Sequence, residues 1–120
     1  LAVYVVHLPS VRVGPSGFAI GRRDQALAAL DLALGRERQK KVVLLGDLNG
    51  STADRTFAPL TSRLKSVADE AGTGLGLSWP AAFPIARVDH ILTRGVVPTD
   101  AWTLPATGSD HRPVAAKLKA

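Results

Sequence analysis

Cysteine and methionine are both absent from this sequence, and glutamate occurs only as Glu37 and Glu70. Without cysteine there is no disulfide, no thiolate zinc site and no cysteine nucleophile, and the redox compartment stays undetermined. Aromatic residues make up 5% of the chain. They are not interleaved with basic residues into a platform on which bases would stack. No apolar run approaches the roughly 20 residues of a membrane span, and no signal peptide is present. The chain opens at Leu1, directly on strand-like sequence and without an initiator methionine. The expectation is a processed chain or a fragment, with any targeting segment lying upstream.

What is there describes one domain spanning residues 1–120. Hydrophobic residues make up 46% of the chain and charged residues 21%, enough for a core and too little charge for disorder. Fifteen Lys and Arg against ten Asp and Glu give a net charge of +5. That balance favours polyanionic surfaces such as nucleic acid or anionic head groups, but only weakly, because the basic residues are spread along the chain. Their default reading is a solvated surface, and this extends to Arg87, Arg94 and Arg112.

Along the chain, LAVYVVHL reads as a buried strand ending near His7, and PSVRVGPSGFAIG (residues 9–21) as a loop. From Arg22 to about Arg38 the period changes. Leu27, Leu30 and Leu34 fall at i, i+3 and i+7, with Ala26 and Ala33 beside them. This predicts an amphipathic helix with Asp24 in its first turn and Arg36 and Arg38 at its end. KVVLLGDLN is a second apolar strand, so an α/β layered architecture is expected. TFAPLTSRLKSVADEAG suggests one or two short helices with Pro59 near a first turn. ARVDHILTRG and VVPTDAWTLPA suggest two neighbouring strands joined around Arg94-Gly95, and TGSDHRPV a turn into a last strand, VAAKLKA.

Polar residues recur in one kind of place, at the end of an apolar strand or in the turn beside it. They are His7, Asp47 with Asn49, Asp89, and Asp110 with His111. Each has a plain explanation by itself: a hydrogen-bonded rim histidine, a turn rich in Asp, Asn and Gly, a capped loop. Asp89, amid Val88, Ile91 and Leu92, is the hardest to dismiss, because a carboxylate there is costly to bury unpaired. Together these segments bring three carboxylates, an amide and two imidazoles to strand ends, where α/β proteins build sites. His90 should point the opposite way from Asp89 along an extended strand and reads as structural. Trp79 and Trp102 read as core and rim packing.

GDLN, RVDHIL and GSDHRPV resemble the GDxN, xxDHI and SDHxPV motifs of the endonuclease/exonuclease/phosphatase family, the deoxyribonuclease I-like fold. VVHLPS is similar to the strand ending in His of its nuclease and sphingomyelinase branches. The resemblance runs from residue 1 to residue 120 in order and covers the second half of the family domain. It implies the C-terminal half of a four-layer α/β/β/α sandwich and a phosphoesterase dependent on Mg²⁺ or Mn²⁺. It further implies that His111 is a general base, or an imidazolium facing the attacked phosphate, with its ring held by Asp89. Asp110 becomes a metal ligand, and Asp47 orients the water or binds a second metal. Asn49 becomes a donor to a phosphate oxygen, and His7 an acid or phosphate donor near the leaving group.

The family's first half supplies an Asn and a metal-binding Glu that this chain lacks, since Glu37 and Glu70 fit neither place. Two expectations follow from the resemblance: weak metal binding and little activity for this chain alone, and an exposed apolar sheet face. That face would be covered by the missing N-terminal half of the fold or by a second copy of the chain. AWTLPATGSDHRPV and the SWP segment are similar to bacterial membrane-tethered members, including the teicoplanin-resistance type. They imply an extracytoplasmic place, membrane association through an absent upstream segment, and a lipid-linked or other phosphate ester. A DNA nuclease is the alternative within the enzyme class. The alternative of another class is a non-enzymatic half-domain that binds phosphate or protein.

Overall fold

The computed structural model describes residues 1–9 and 18–120. Most of the expected loop at residues 9–21 lies outside the described residues. Its last part, Phe18 to Gly21, belongs instead to helix α1, Phe18–Arg36. Gly21 reads as a loop residue, yet an isolated glycine costs only about 1 kcal/mol inside a helix, and the helix runs through it. The earlier start leaves no acidic residue in the first turn, so Asp24 does not cap the helix, and Arg38 falls beyond its end. Leu27, Leu30 and Leu34 are buried as their spacing predicts, with Ala26 half-buried beside them and Ala33 exposed.

β1 (Ala2–His7) and β2 (Val42–Asp47) pair in parallel, joined by the α1 crossover. β4 (Asp89–Arg94) runs antiparallel on the other side of β2, and the two-residue β3 (Lys65–Ser66) completes the order β1-β2-β4-β3. Between β2 and β3 a 3-10 turn at Arg55–Phe57 leads into α2, Ala58–Thr61, where Pro59 sits in the first turn. After β3 comes α3, Val67–Ala71.

The expected pairing of the strands on either side of Arg94-Gly95 does not occur. Gly95, at φ 73°, turns the chain where a Cβ would run into the Lys40 carbonyl. β5 (Val97–Thr103) thereby leaves the first sheet and pairs antiparallel with β6, Val114–Lys119.

The two faces of the larger sheet differ. Val42, Leu44 and Leu92 turn toward α1 and form one core with Leu34, Leu48, Phe57, Leu60 and Leu64. Each such side chain, removed from water, contributes about 1.5–3 kcal/mol. On the opposite face of β1, Val3 is 56% exposed and Val5 75%. The expectation of an uncovered apolar sheet face is met along β1, whereas Val43 and Thr93 in the same row on β2 and β4 are buried.

Candidate active site

Strand register does the first part of the assembly. His7 lies beside Asp47, and Asp47 beside Asp89, so one row across β1, β2 and β4 carries three of the expected site residues. Alternation along the strands turns that row to the face opposite α1. The row closes the sheet, because β1 and β2 end there and β4 begins there.

His111 reaches the row from the turn that precedes β6. Its Nδ1 lies 2.7 Å from Asp89 Oδ2. A carboxylate accepts, so Nδ1 carries the proton, and in the neutral ring Nε2 presents a lone pair. Nε2 in turn stands 3.8 Å from Asp47 Oδ2 and 3.9 Å from Asp110 Oδ1. Burial opposes charge on this ring. The bond to Asp89 and the negative charges of Asp89, Asp47 and Asp110 outweigh it and raise the His111 pKa above the ordinary histidine value.

Asp47 divides its two oxygens. Oδ1 accepts the Asn49 backbone N–H at 2.8 Å, and Oδ2 faces His7 Nε2 at 3.7 Å as well as His111. Asn49 holds a left-handed backbone, φ 51°, which asparagine tolerates better than most residues. Its amide Nδ2 donates to the Leu8 carbonyl at 2.6 Å, which leaves its second N–H for a ligand. His7 is largely exposed at the rim. Asp110 is more exposed still, with its side chain 81% accessible, and lies outside the tight group.

Among the described residues, Asp47, Asp89 and His111 form one group whose ligand atoms lie within 4.8 Å of one another. Asp89 Oδ2 is already engaged with His111, so the oxygens that could meet a cation are Asp47 Oδ2, Asp89 Oδ1 and, from the rim, Asp110. Hard carboxylate donors suit Mg²⁺ or Mn²⁺ in kind. They fill only part of an octahedral shell, whose other positions Mg²⁺ ordinarily leaves to water and substrate phosphate. Neither glutamate makes up the number: Glu37 accepts from the Tyr4 hydroxyl, and Glu70 lies 3.9 Å from Lys65.

Arg87, Arg94 and Arg112 lie half-buried at the surface, each with a protein partner. Arg87 pairs with Asp69 at 2.8 Å, Arg112 Nε donates to the Ala81 carbonyl, and Arg94 donates to the carbonyls of Glu37 and Gln39. Arg23, one of the basic residues read as spread over the surface, is 8% exposed and stacks over Phe57 at 4.6 Å. Trp79 sits at the rim, 39% exposed, and Trp102 is half-buried, as expected.

One supporting residue, Ser78 of the SWP segment, plays a part that the motif reading did not give. Ser78 is fully buried, and its Oγ accepts from the backbone N–H groups of Val88 and Asp89, which fixes where β4 begins. The Ser78 carbonyl accepts from Arg112 N, and Ala81 N donates to the Asp110 carbonyl, so the same segment also holds the His111 turn. SWP gave a local hint of structure there but no hint of these partners.

The sequence matches the endonuclease/exonuclease/phosphatase family over residues 2–111. No curated protein matches it. Among solved structures, a functionally unknown conserved protein from Enterococcus faecalis superposes with a TM-score of 0.76 at 18% identity, covering 97% of this chain and 48% of its own. A mannosyl-6-phosphatase from Bacteroides thetaiotaomicron gives 0.65 at 19% identity, over 87% of this chain and 47% of its own. Sphingomyelinase C from Streptomyces griseocarneus gives 0.54 at 23%, over 95% and 51%. These likenesses establish the deoxyribonuclease I-like fold. The chain spans about half the length of the structures it matches.

Proposed function

The chain belongs to the endonuclease/exonuclease/phosphatase family, and from that premise we propose that it is the C-terminal half of a metal-dependent phosphoesterase. The reaction is hydrolysis of a phosphate mono- or diester by in-line attack of an activated water. One observation carries this reading: the 2.7 Å bond from His111 to Asp89, set in register beside Asp47, holds an imidazole with one lone pair open to the site.

Each residue then has a task. His111 Nε2 takes the proton of the attacking water, while Asp89 keeps the ring in the tautomer that can do so. Asp47 Oδ2 orients that water. The second N–H of Asn49 donates to a non-bridging phosphate oxygen, and His7 meets the leaving-group side. Asp47 and Asp110 are the residues that would hold Mg²⁺ or Mn²⁺, which when bound supplies charge neutralisation at the phosphoryl oxygens. The mannosyl-6-phosphatase and the sphingomyelinase named above support a phosphate ester as the substrate class.

The test is hydrolysis of bis-p-nitrophenyl phosphate, plasmid DNA and a phospholipid panel in Mg²⁺, by this chain and by the full-length product. Turnover by the longer protein and little by this chain is expected. Full turnover by the 120-residue chain would refute the half-domain reading, and cleavage confined to plasmid DNA would favour the nuclease. Binding of phosphate without turnover of any substrate by either protein would favour the non-enzymatic module.

The open face of β1 supports the same division. Val3 and Val5 project from a sheet face that a monomer would leave in water. The N-terminal half of the fold is the proposed cover, and in its absence a second copy of the chain. Sedimentation of the isolated chain as a well-behaved monomer would contradict that. No helix among the described residues is long and apolar enough to cross a bilayer.

A further inference from the structure

Behind the row that carries His7, Asp47 and Asp89 runs a second row that the hydrolytic roles leave unused, Val6, Gly46 and His90. His90 is 3% exposed, and its Nε2 lies 2.7 Å from the Gly50 carbonyl oxygen. A carbonyl can only accept, so Nε2 carries the proton. The opposite nitrogen, Nδ1, is buried without a hydrogen-bond partner. The ring therefore aims one donor at one acceptor, forty residues away in sequence.

Gly50 closes the turn that presents Asp47 and Asn49. On the β1 side the turn is tied by the Asn49 amide to the Leu8 carbonyl. On the β4 side it is tied by Leu48 N to the Val88 carbonyl and by His90 to Gly50. Below, Gly50 presses on α1 and the 3-10 turn: a Cβ there would come within 2.8 Å of Phe57 Cε2 and 3.0 Å of the Arg23 guanidinium. A peptide so confined needs a fixed donor for its carbonyl, or the turn must move to find one.

We propose that His90 is a positioning residue for Asp47 and Asn49: its Nε2–H, bonded to the Gly50 carbonyl, holds the turn where both groups face His111. The use of that geometry rests on the phosphoesterase reading, whereas the positioning can be read without any turnover. A leucine at 90 would fill similar space and leave the carbonyl unpaired. A glutamine would return an N–H close to where Nε2 stands.

The experiment compares the wild-type chain with His90→Leu and His90→Gln by ¹⁵N-resolved NMR, with far-UV circular dichroism as the check on fold. In wild type, long-range ring correlations should show the Nε2–H tautomer; the Nδ1–H tautomer would overturn the proposal, and this arm needs no variant. His90→Leu should keep the circular dichroism spectrum while displacing or broadening the amide signals of Asp47, Asn49 and Gly50 and the ring signals of His111. His90→Gln should bring them back toward wild type. Signals at Asn49 and His111 that ignore the leucine, or that glutamine fails to restore in a folded chain, would overturn the proposal. Turnover by the full-length product is scored separately: its absence on bis-p-nitrophenyl phosphate, p-nitrophenyl phosphate, plasmid DNA and the phospholipid panel alike sinks the phosphoesterase reading and leaves the Asn49 result standing.

Discussion

The strands β1, β2 and β4 end very differently at their two ends. At the end away from the site, the Tyr4 hydroxyl donates to Glu37 Oε1 at 2.6 Å, Gln39 N donates to Glu37 Oε2 at 3.0 Å, and Arg94 donates to the carbonyls of Glu37 and Gln39. Donors and acceptors there are matched. At the other end the side chains of His7, Asp47, Asp110 and His111 face one another at 3.7–3.9 Å, and His111 to Asp89 is the one short bond between ionisable side chains there. The same register built both ends, so strand geometry is not what separates them. What separates them is that one set of groups pairs within itself, while the other leaves lone pairs of half-buried and exposed side chains open to the surface. A cluster of that kind is where perturbed ionisable groups mark a candidate site.

The largest effect expected from breaking this contrast is on catalysis. His111→Ala in the full-length product should lower turnover of bis-p-nitrophenyl phosphate by roughly 10²–10⁴-fold, the usual contribution of a positioned acid or base. Asp89→Asn should fall in the same range, because it removes the negative charge and replaces an acceptor-only group by an amide that can also donate, so the tautomer is no longer enforced. Neither change should unfold the protein, as His111 sits in a turn and Asp89→Asn keeps the shape of the side chain where β4 begins. Activity surviving His111→Ala would end the role assigned to it.

Next in size is a change that damages the site end through the backbone. Gly46 adopts φ 148°, and a Cβ there would run into the Val6 carbonyl. Gly46→Ala should therefore destabilise the chain by roughly 2–4 kcal/mol, strain and clash together, read from urea unfolding. It should part β1 from β2 at His7 and Asp47 first. A stability equal to wild type would show that the strands separate there at no cost.

A smaller effect follows from the raised pKa of His111. A group whose folded pKa is raised stabilises the fold fully below its unfolded value, about 6.5 for histidine, and loses that contribution as pH rises through the folded value. In EDTA, the stability gap between wild type and His111→Ala should thus be widest below about pH 6.5 and narrow above it. A gap that widened with pH would mean that the carboxylates do not hold the imidazolium.

These contrasts also explain what could be read from the sequence. GDLN, RVDHIL and SDHRPV were legible because each sets polar residues against an apolar strand, a pattern that survives without knowledge of the fold. The α1 stripe was legible for the same local reason, in Leu27, Leu30 and Leu34. β3 was not, since Lys65 and Ser66 are too few to show a period. The partner of β5 was hidden because strand adjacency in sequence does not fix adjacency in a sheet. Ser78 and Arg23 act through partners distant in the chain, and no local pattern marks a buried serine or arginine as different from an exposed one; for His90, strand alternation gave the direction but not the partner, the Gly50 carbonyl. The place of Asp110 at the rim depends on how its turn is rotated.

The smallest change is expected at the closed end. Tyr4→Phe removes the hydroxyl that donates to Glu37 and leaves β1 and β2 paired, so activity should be unchanged and the melting temperature slightly lower. Its signature is in acid. The Tyr4 hydrogen bond, followed by the Gln39 backbone N–H, holds the Glu37 pKa below its ordinary value. Stabilisation from a depressed carboxyl is present above its unfolded pKa, about 4.3, and fades as pH falls through the folded value. The gap between wild type and Tyr4→Phe should therefore be constant near neutrality and shrink below about pH 4.3, opposite in direction to the gap at His111. A gap indifferent to acid would show that Glu37 is held by something other than Tyr4. A loss of activity in Tyr4→Phe would show that the two ends of the sheet are coupled.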